Sequence, residues 1–151
     1  MKTLVLGLGN PILSDDGVGI RVAHEVSNRL KNPRVTVSET SAAGLSLLDS
    51  IVGYDKVIII DAIQTEKGQA GQIYRMKTED FSLTKRLSSP HQVNLATALE
   101  LGKMLGLAVP EKITVFAVEA KDITNFSERC TPEVEKAIPE VVRMVLEDLV
   151  G

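Results

Sequence analysis

The sequence predicts an α/β fold: a single-domain, doubly wound, mostly parallel sheet with helices on both faces and one antiparallel or edge strand. Three observations lead there. The chain is rich in aliphatic residues while aromatic residues make up only 3%, a balance that suits a parallel sheet covered by helices. Short apolar runs that end at glycine or an acid alternate with segments of helical periodicity, the pattern of repeated βαβ units. No break in composition divides the 151 residues, so 1–151 is read as one domain with a substantial core.

The elements follow in order. Thr3 to Leu8 is a bounded apolar run closed by glycine, the mark of a buried first strand. Val18, Val22, Val26 and Leu30 recur every four residues and give the buried stripe of a first helix ending near Asn32-Pro33. His24 lies opposite that stripe and reads as a surface histidine. Val35 and Val37 alternate with polar neighbours as a second strand, and Leu45, Leu48 and Ile51 mark a short second helix. Lys56 to Asp61 holds four consecutive β-branched residues closed by an acid, a central parallel strand. The polar stretch from Ile63 to Gln72 is too short for a crossover helix, so Ile73 to Met76 is expected to be antiparallel or at an edge. Lys77 to Ser88 shows no sustained period and reads as a connection that covers a site or is simply solvated. Ser89-Pro90-His91-Gln92 combines a capping residue, a first-turn proline and a Gln three positions on, which starts a helix running to about Leu105. Ile113 to Val118 is another buried strand. Thr131-Pro132-Glu133 opens a last helix whose apolar face runs from Val134 to Leu149, with a kink expected at Pro139.

Composition narrows the partners. A formal charge of −3 without a clustered basic stripe argues against nucleic acid and anionic lipid. Lys2 precedes only the short run Leu4 to Leu8, which is not the apolar core of a signal peptide, and no run approaches the length of a membrane span. A lone cysteine, Cys130, permits neither an internal disulfide nor a paired-cysteine zinc knuckle. The expectation is a cytoplasmic monomer.

The stretch GLGNPILSDDGVG, Gly7 to Gly19, opens like a phosphate-binding loop and then presents two adjacent acids. Ile12 stands where a dinucleotide fingerprint needs its third glycine, and Asp15 and Asp16 would repel a pyrophosphate from the helix start. One acid suffices as a helix cap, so Asp15 is assigned to the loop or helix start and Asp16 to a crevice. In doubly wound sheets ligands bind at the carboxyl ends of strands where the strand order reverses, which makes strands one and three neighbours and brings Asp16 and Asp61 to one crevice. His91, in the first turn of its helix, is disfavoured as an imidazolium by the helix dipole. Alone it reads as a surface histidine. With the two carboxylates it completes an oxygen and nitrogen set suited to a borderline divalent ion such as zinc or nickel, with open positions left over. Spacing alone does not say which metal, or whether it stays.

GLGNPILSDDGVG, VIIIDA and SPHQ, in this order along the chain, resemble the hydrogenase maturation proteases. The resemblance implies a doubly wound α/β endopeptidase that removes a C-terminal extension from the large-subunit precursor of a [NiFe] hydrogenase after nickel insertion. It further implies that Asp16, Asp61 and His91 form the site that recognises nickel carried by the substrate, with a role in cleavage itself left open. No cofactor is then tightly bound, although zinc or another divalent ion would suit the same ligands. Asp16 takes a position that is Glu in some members, and Glu39-Thr40-Ser41-Ala42 replaces the Asp-Gly-Gly-Thr often found after the second strand. The second departure bears on which hydrogenase is processed. Two other classes use some of the same residues. A metal-binding sensor or chaperone domain would hold metal tightly without cutting anything, and LVLGLGNP also resembles the opening of peptidyl-tRNA hydrolases, which the acids and the absent basic surface disfavour. Cys130, just before the last helix, reads as inert rather than nucleophilic.

Overall fold

The computed structural model describes residues 1–41, 45–77 and 98–150. Five strands form one sheet: β1 (Thr3–Leu8), β2 (Val35–Thr40), β3 (Lys56–Ile63), β4 (Ile73–Lys77) and β5 (Lys112–Glu119). A 3-10 turn, Ser14–Gly17, leads into α1 (Val18–Arg29). Helix α2 spans Leu45–Ile51, residues 98–104 are helical (α3), and α4 spans Pro132–Val150. The strand order is β2-β1-β3-β5-β4, parallel throughout except for β4, which runs antiparallel to β5 at the edge. Both expectations for the Ile73 strand therefore hold, and β1 and β3 are neighbours as expected. The expected start of α3 at Ser89-Pro90-His91-Gln92, and all but the first residue of the Lys77 to Ser88 connection, lie outside the described residues.

Strand alternation divides the core into two layers. Leu4, Leu6 and Leu8 of β1 and Val57, Ile59 and Ile63 of β3 face α2 and α3, where Leu47, Leu48, Ile51, Ala98 and Leu99 cover them. Val5, Ile58 and Ile60 face the other way, against Val18, Val22 and Val26 of α1 and Val134, Ile138, Val141 and Val145 of α4. The continuous apolar runs of β1 and β3 follow from burial on both faces. Lys56, at the start of β3, is itself buried and donates from Nζ to the Asp148 carbonyl, which ties the last turn of α4 to the amino ends of the strands.

One boundary differs from expectation. The strand containing Asp61 does not end there: β3 stays paired with β5 through Ile63–Glu119, whereas its pairing with β1 stops at Ile60–Gly7. The acid marks the loss of one neighbour, not the end of the strand. Helix α4 runs through Pro139 as one element. The proline is exposed, so the Glu135 carbonyl that loses its N–H partner lies on the solvent side of the helix.

Candidate functional site

The carboxyl ends of β1 and β3 part beyond the Gly7–Ile60 pair, at the point where the strand order reverses. Helix α1 starts directly on this fork. A Cβ on Gly19 would sit 2.2 Å from the Ile60 carbonyl oxygen and 2.6 Å from that of Leu8, so only glycine lets the helix approach so closely. Asp16 lies three residues before this contact and Asp61 one residue after Ile60. The topology thus brings both acids to the same end of the sheet.

Asp61 is 1% exposed, and its Oδ1 accepts the Ala62 N–H at 2.8 Å. By alternation it belongs to the same sheet face as Ile59 and Ile63, the face that α2 and α3 cover. Asp16 is half-buried, and its Oδ2 accepts the Asn10 N–H at 2.9 Å. Gly9 makes this possible: its φ of +138° favours glycine, and a Cβ there would lie 1.9 Å from the Asp16 carbonyl oxygen. Asn10 and Gly9 are contributors that reading for acids and imidazoles overlooks. The available signal was the Asn-Pro turn chemistry of Asn10-Pro11.

Asp15 has a different task. Its side chain is fully buried and gathers Lys121 N–H (2.9 Å), Asp122 N–H (3.1 Å), Thr131 N–H (2.6 Å) and the Thr131 hydroxyl (2.8 Å to Oδ2). Neither Asp15 nor Asp16 caps its own helix, since the 3-10 turn and α1 both lack a side-chain cap bond. Asp15 instead fastens the loop after β1 to the segment that joins β5 to α4. The same segment binds Ser14, which adopts a φ of 52° while its hydroxyl donates to the Asn125 carbonyl at 2.7 Å.

The remaining candidates sort by position. His91 lies outside the described residues, and among the described residues no three of His, Cys, Asp and Glu form a group able to hold a metal ion. His24 is a surface residue, 65% exposed, with Nε2 2.5 Å from Glu39 Oε2, so Glu39 at the end of β2 is tied to α1. Cys130 is buried beside Ser14 and Arg21, and burial pushes its thiol up to about 11. A thiol so disfavoured as thiolate is a poor nucleophile near neutrality. Arg21 is held by a two-point ion pair to Glu135 at 2.6 and 3.2 Å, which raises its guanidinium pKa further and joins α1 to α4.

Fold and site together define a doubly wound α/β domain that presents carboxylates, not a phosphate loop, at its switch point. The hydrogenase maturation protease family model matches residues 20–148. The hydrogenase 2 maturation protease of Escherichia coli (strain K12) is 32% identical over 148 residues, covering 97% of this chain and 89% of that protein. Among solved structures, the hydrogenase maturating endopeptidase HybD from E. coli superposes with a TM-score of 0.86 at 31% identity, covering 99% of this chain and 92% of that one. The [NiFe] hydrogenase maturation protease HybD from Thermococcus kodakarensis shares the fold, with a TM-score of 0.76 at 24% identity over 97% of this chain and 98% of that one. The chain belongs to the hydrogenase maturation protease family and is a peptidase with a role in hydrogenase maturation. Among the described residues no helix is long and apolar enough to cross a membrane.

Proposed function

We propose that this protein removes the C-terminal extension of a [NiFe] hydrogenase large-subunit precursor after nickel insertion, and that Asp16, Asp61 and His91 grip the nickel that the precursor carries. The observation that carries the reading is the pair of acids at the fork of β1 and β3. Among the described residues Asp16 spends one oxygen on Asn10 and takes no other hydrogen bond, which leaves Oδ1 to a ligand. Oxygen donors from two carboxylates with one imidazole suit a borderline divalent ion while leaving positions for ligands from the precursor. Nickel is then part of the substrate, and the ion is held fully only when the precursor supplies the rest of its shell. That requirement makes cleavage report completed metal insertion. The protein is expected to act as a cytoplasmic monomer without a resident cofactor.

The deciding experiment incubates the protein with nickel-loaded and nickel-free precursor and follows loss of the C-terminal tail. Cleavage of the loaded form alone is expected. Asp16→Asn, Asp61→Asn and His91→Ala should each lose capture of loaded precursor in a pull-down, by analogy with charge pairs worth ~2–5 kcal/mol when one partner is truncated. If all three capture it as well as the unmodified protein does, the metal-recognition role is wrong. Residues acting only in the chemical step would leave capture intact and slow turnover. Tight nickel binding by the free protein without cleavage would instead favour a sensor or chaperone.

A further inference from the structure

Two large apolar side chains stand exposed on the loops that carry the site. Ile12 is 47% and Phe126 82% exposed, and they are neighbours in space despite their separation in sequence. Leu13 and Ser127 form a parallel β-bridge, in which the Ser127 N–H donates to the Ile12 carbonyl and the Ser14 N–H to the Ser127 carbonyl, each at 3.0 Å. Ile12 and Phe126 each precede a bridge partner, so their main chains run side by side and both exposed side chains leave from the same short bridge. The backbone beneath them is braced from both strands: Ser14 donates to Asn125, and Asp15 binds Lys121, Asp122 and Thr131. Isolated exposed apolar residues are ordinary, but an exposed Ile and Phe carried on adjoining, braced main chains form a candidate contact surface.

The ridge is continuous with the site. Asn10 joins them, donating its N–H to Asp16 Oδ2 at 2.9 Å while its Oδ1 accepts the Ile12 N–H at 3.2 Å. Ile12 and Phe126 therefore stand on the loop structure that adjoins Asp16 through Asn10. Among the described residues a second exposed apolar group, Met104, Leu105 and Leu107, precedes β5 and adjoins the opposite end of the sheet.

We propose that Ile12 and Phe126 form a docking ridge that seats an apolar surface of the large-subunit precursor bordering its nickel. The inference rests on the function proposed above. The ridge supplies binding that does not depend on the metal ligands, and so governs KM for the precursor while leaving the cleavage step alone.

The test measures steady-state cleavage of nickel-loaded precursor by the unmodified protein, by Phe126→Leu and by the double variant Ile12→Ser/Phe126→Ser, with urea midpoints for each. The double variant is expected to raise KM by about 30-fold or more, as truncation of buried interface anchors does, with kcat within about twofold. Phe126→Leu, which keeps an apolar side chain, should retain most of the affinity. Midpoints should stay level, because the bracing bonds come from main-chain groups, Ser14 and Asp15. An unchanged KM in the double variant, a fall in kcat alone, or a large drop in its urea midpoint overturns the ridge. So does a dimer of the unmodified protein that the double variant breaks, which would make the pair a self-association face. If the unmodified protein leaves loaded precursor uncut, the proposed function fails, and the ridge with it. If it cuts normally and only the KM prediction fails, the ridge alone is wrong.

Discussion

Replacing Asp15 should damage this fold far more than replacing its neighbour Asp16. The Asp15 carboxylate is 0% exposed and serves four donors: the main-chain N–H groups of Lys121, Asp122 and Thr131 and the Thr131 hydroxyl. Asp15→Ala leaves three main-chain donors facing a small void. Each buried donor left unpaired costs about 1–3 kcal/mol, less where water enters, so a loss of about 3–5 kcal/mol is expected for the set. Against the 5–15 kcal/mol typical of a domain this is a large share. At about 2–4 °C per kcal/mol for a chain of this size, the melting temperature should fall by about 6–20 °C. Asp15→Asn keeps one acceptor oxygen but turns an NH2 group toward the same donors, so it should lose roughly 2–3 kcal/mol. Asp16→Ala removes one hydrogen bond from a half-buried carboxylate and should cost about 1 kcal/mol. Urea unfolding of the three variants, with m-values compared, measures the difference. If Asp15→Ala proves as stable as Asp16→Ala, the buried carboxylate does not hold the two loops together.

Other outcomes follow from the same geometry. Gly19→Ala should destabilise by several kcal/mol although alanine is ordinarily the better helix former by about 1 kcal/mol, because the new Cβ would lie 2.2 Å from the Ile60 carbonyl oxygen. A stabilised Gly19→Ala in thermal melts would contradict the close approach. With its thiol pushed up to about 11 by burial, Cys130 should resist alkylation at pH 8 in the folded protein and react once urea exposes it, and Cys130→Ser should still cut precursor. An inactive but folded Cys130→Ser protein would reopen a thiol mechanism. The Asp122 carboxylate is lowered from 3.8 to about 2, first by the Asn125 side-chain N–H and then by the Thr124 and Asn125 main-chain N–H groups. A depressed folded pKa means that its contribution is present above the unfolded value and fades as pH falls from about 4 toward 2. The Thr124 and Asn125 amide resonances should titrate with a midpoint near 2, and a midpoint near 3.8 would show that those hydrogen bonds do not form in solution.

Much of the frame was legible because its signals are local. The apolar runs Thr3 to Leu8 and Val57 to Ile60 can be satisfied only by burial on both faces, and the four-residue recurrence from Val18 to Val26 fixes one face of α1. Strand order follows from short connections and right-handed crossovers once those elements are known. Tertiary pairing was less legible. That β3 continues past Asp61 depends on β5 remaining alongside after β1 has turned away, which no residue within Lys56–Ile63 announces. The last helix, by contrast, was legible as one element through Pro139 from its apolar face.

The paired acids show where such reading reaches its limit. Asp15 and Asp16 are adjacent, identical in chemistry and equally suited to cap a helix, yet one is buried under four donors and the other, among the described residues, accepts a single hydrogen bond. What separates them is the segment 120–131, more than a hundred residues away along the chain, whose main-chain N–H groups converge on a single carboxylate. Main-chain donors carry no signature in side-chain identity, so the only available cue was that one acid is enough for a structural task and the second is surplus. The cue assigned Asp15 to the loop or the helix start, and the structure gives it the loop, with a clasp to a distant segment that the sequence did not announce. That clasp also holds the segment bearing Phe126 beside Ile12. A buried carboxylate at Asp15 therefore bears on the site twice: it fixes the turn from which Asp16 projects, and it fixes the ridge over which a precursor would approach.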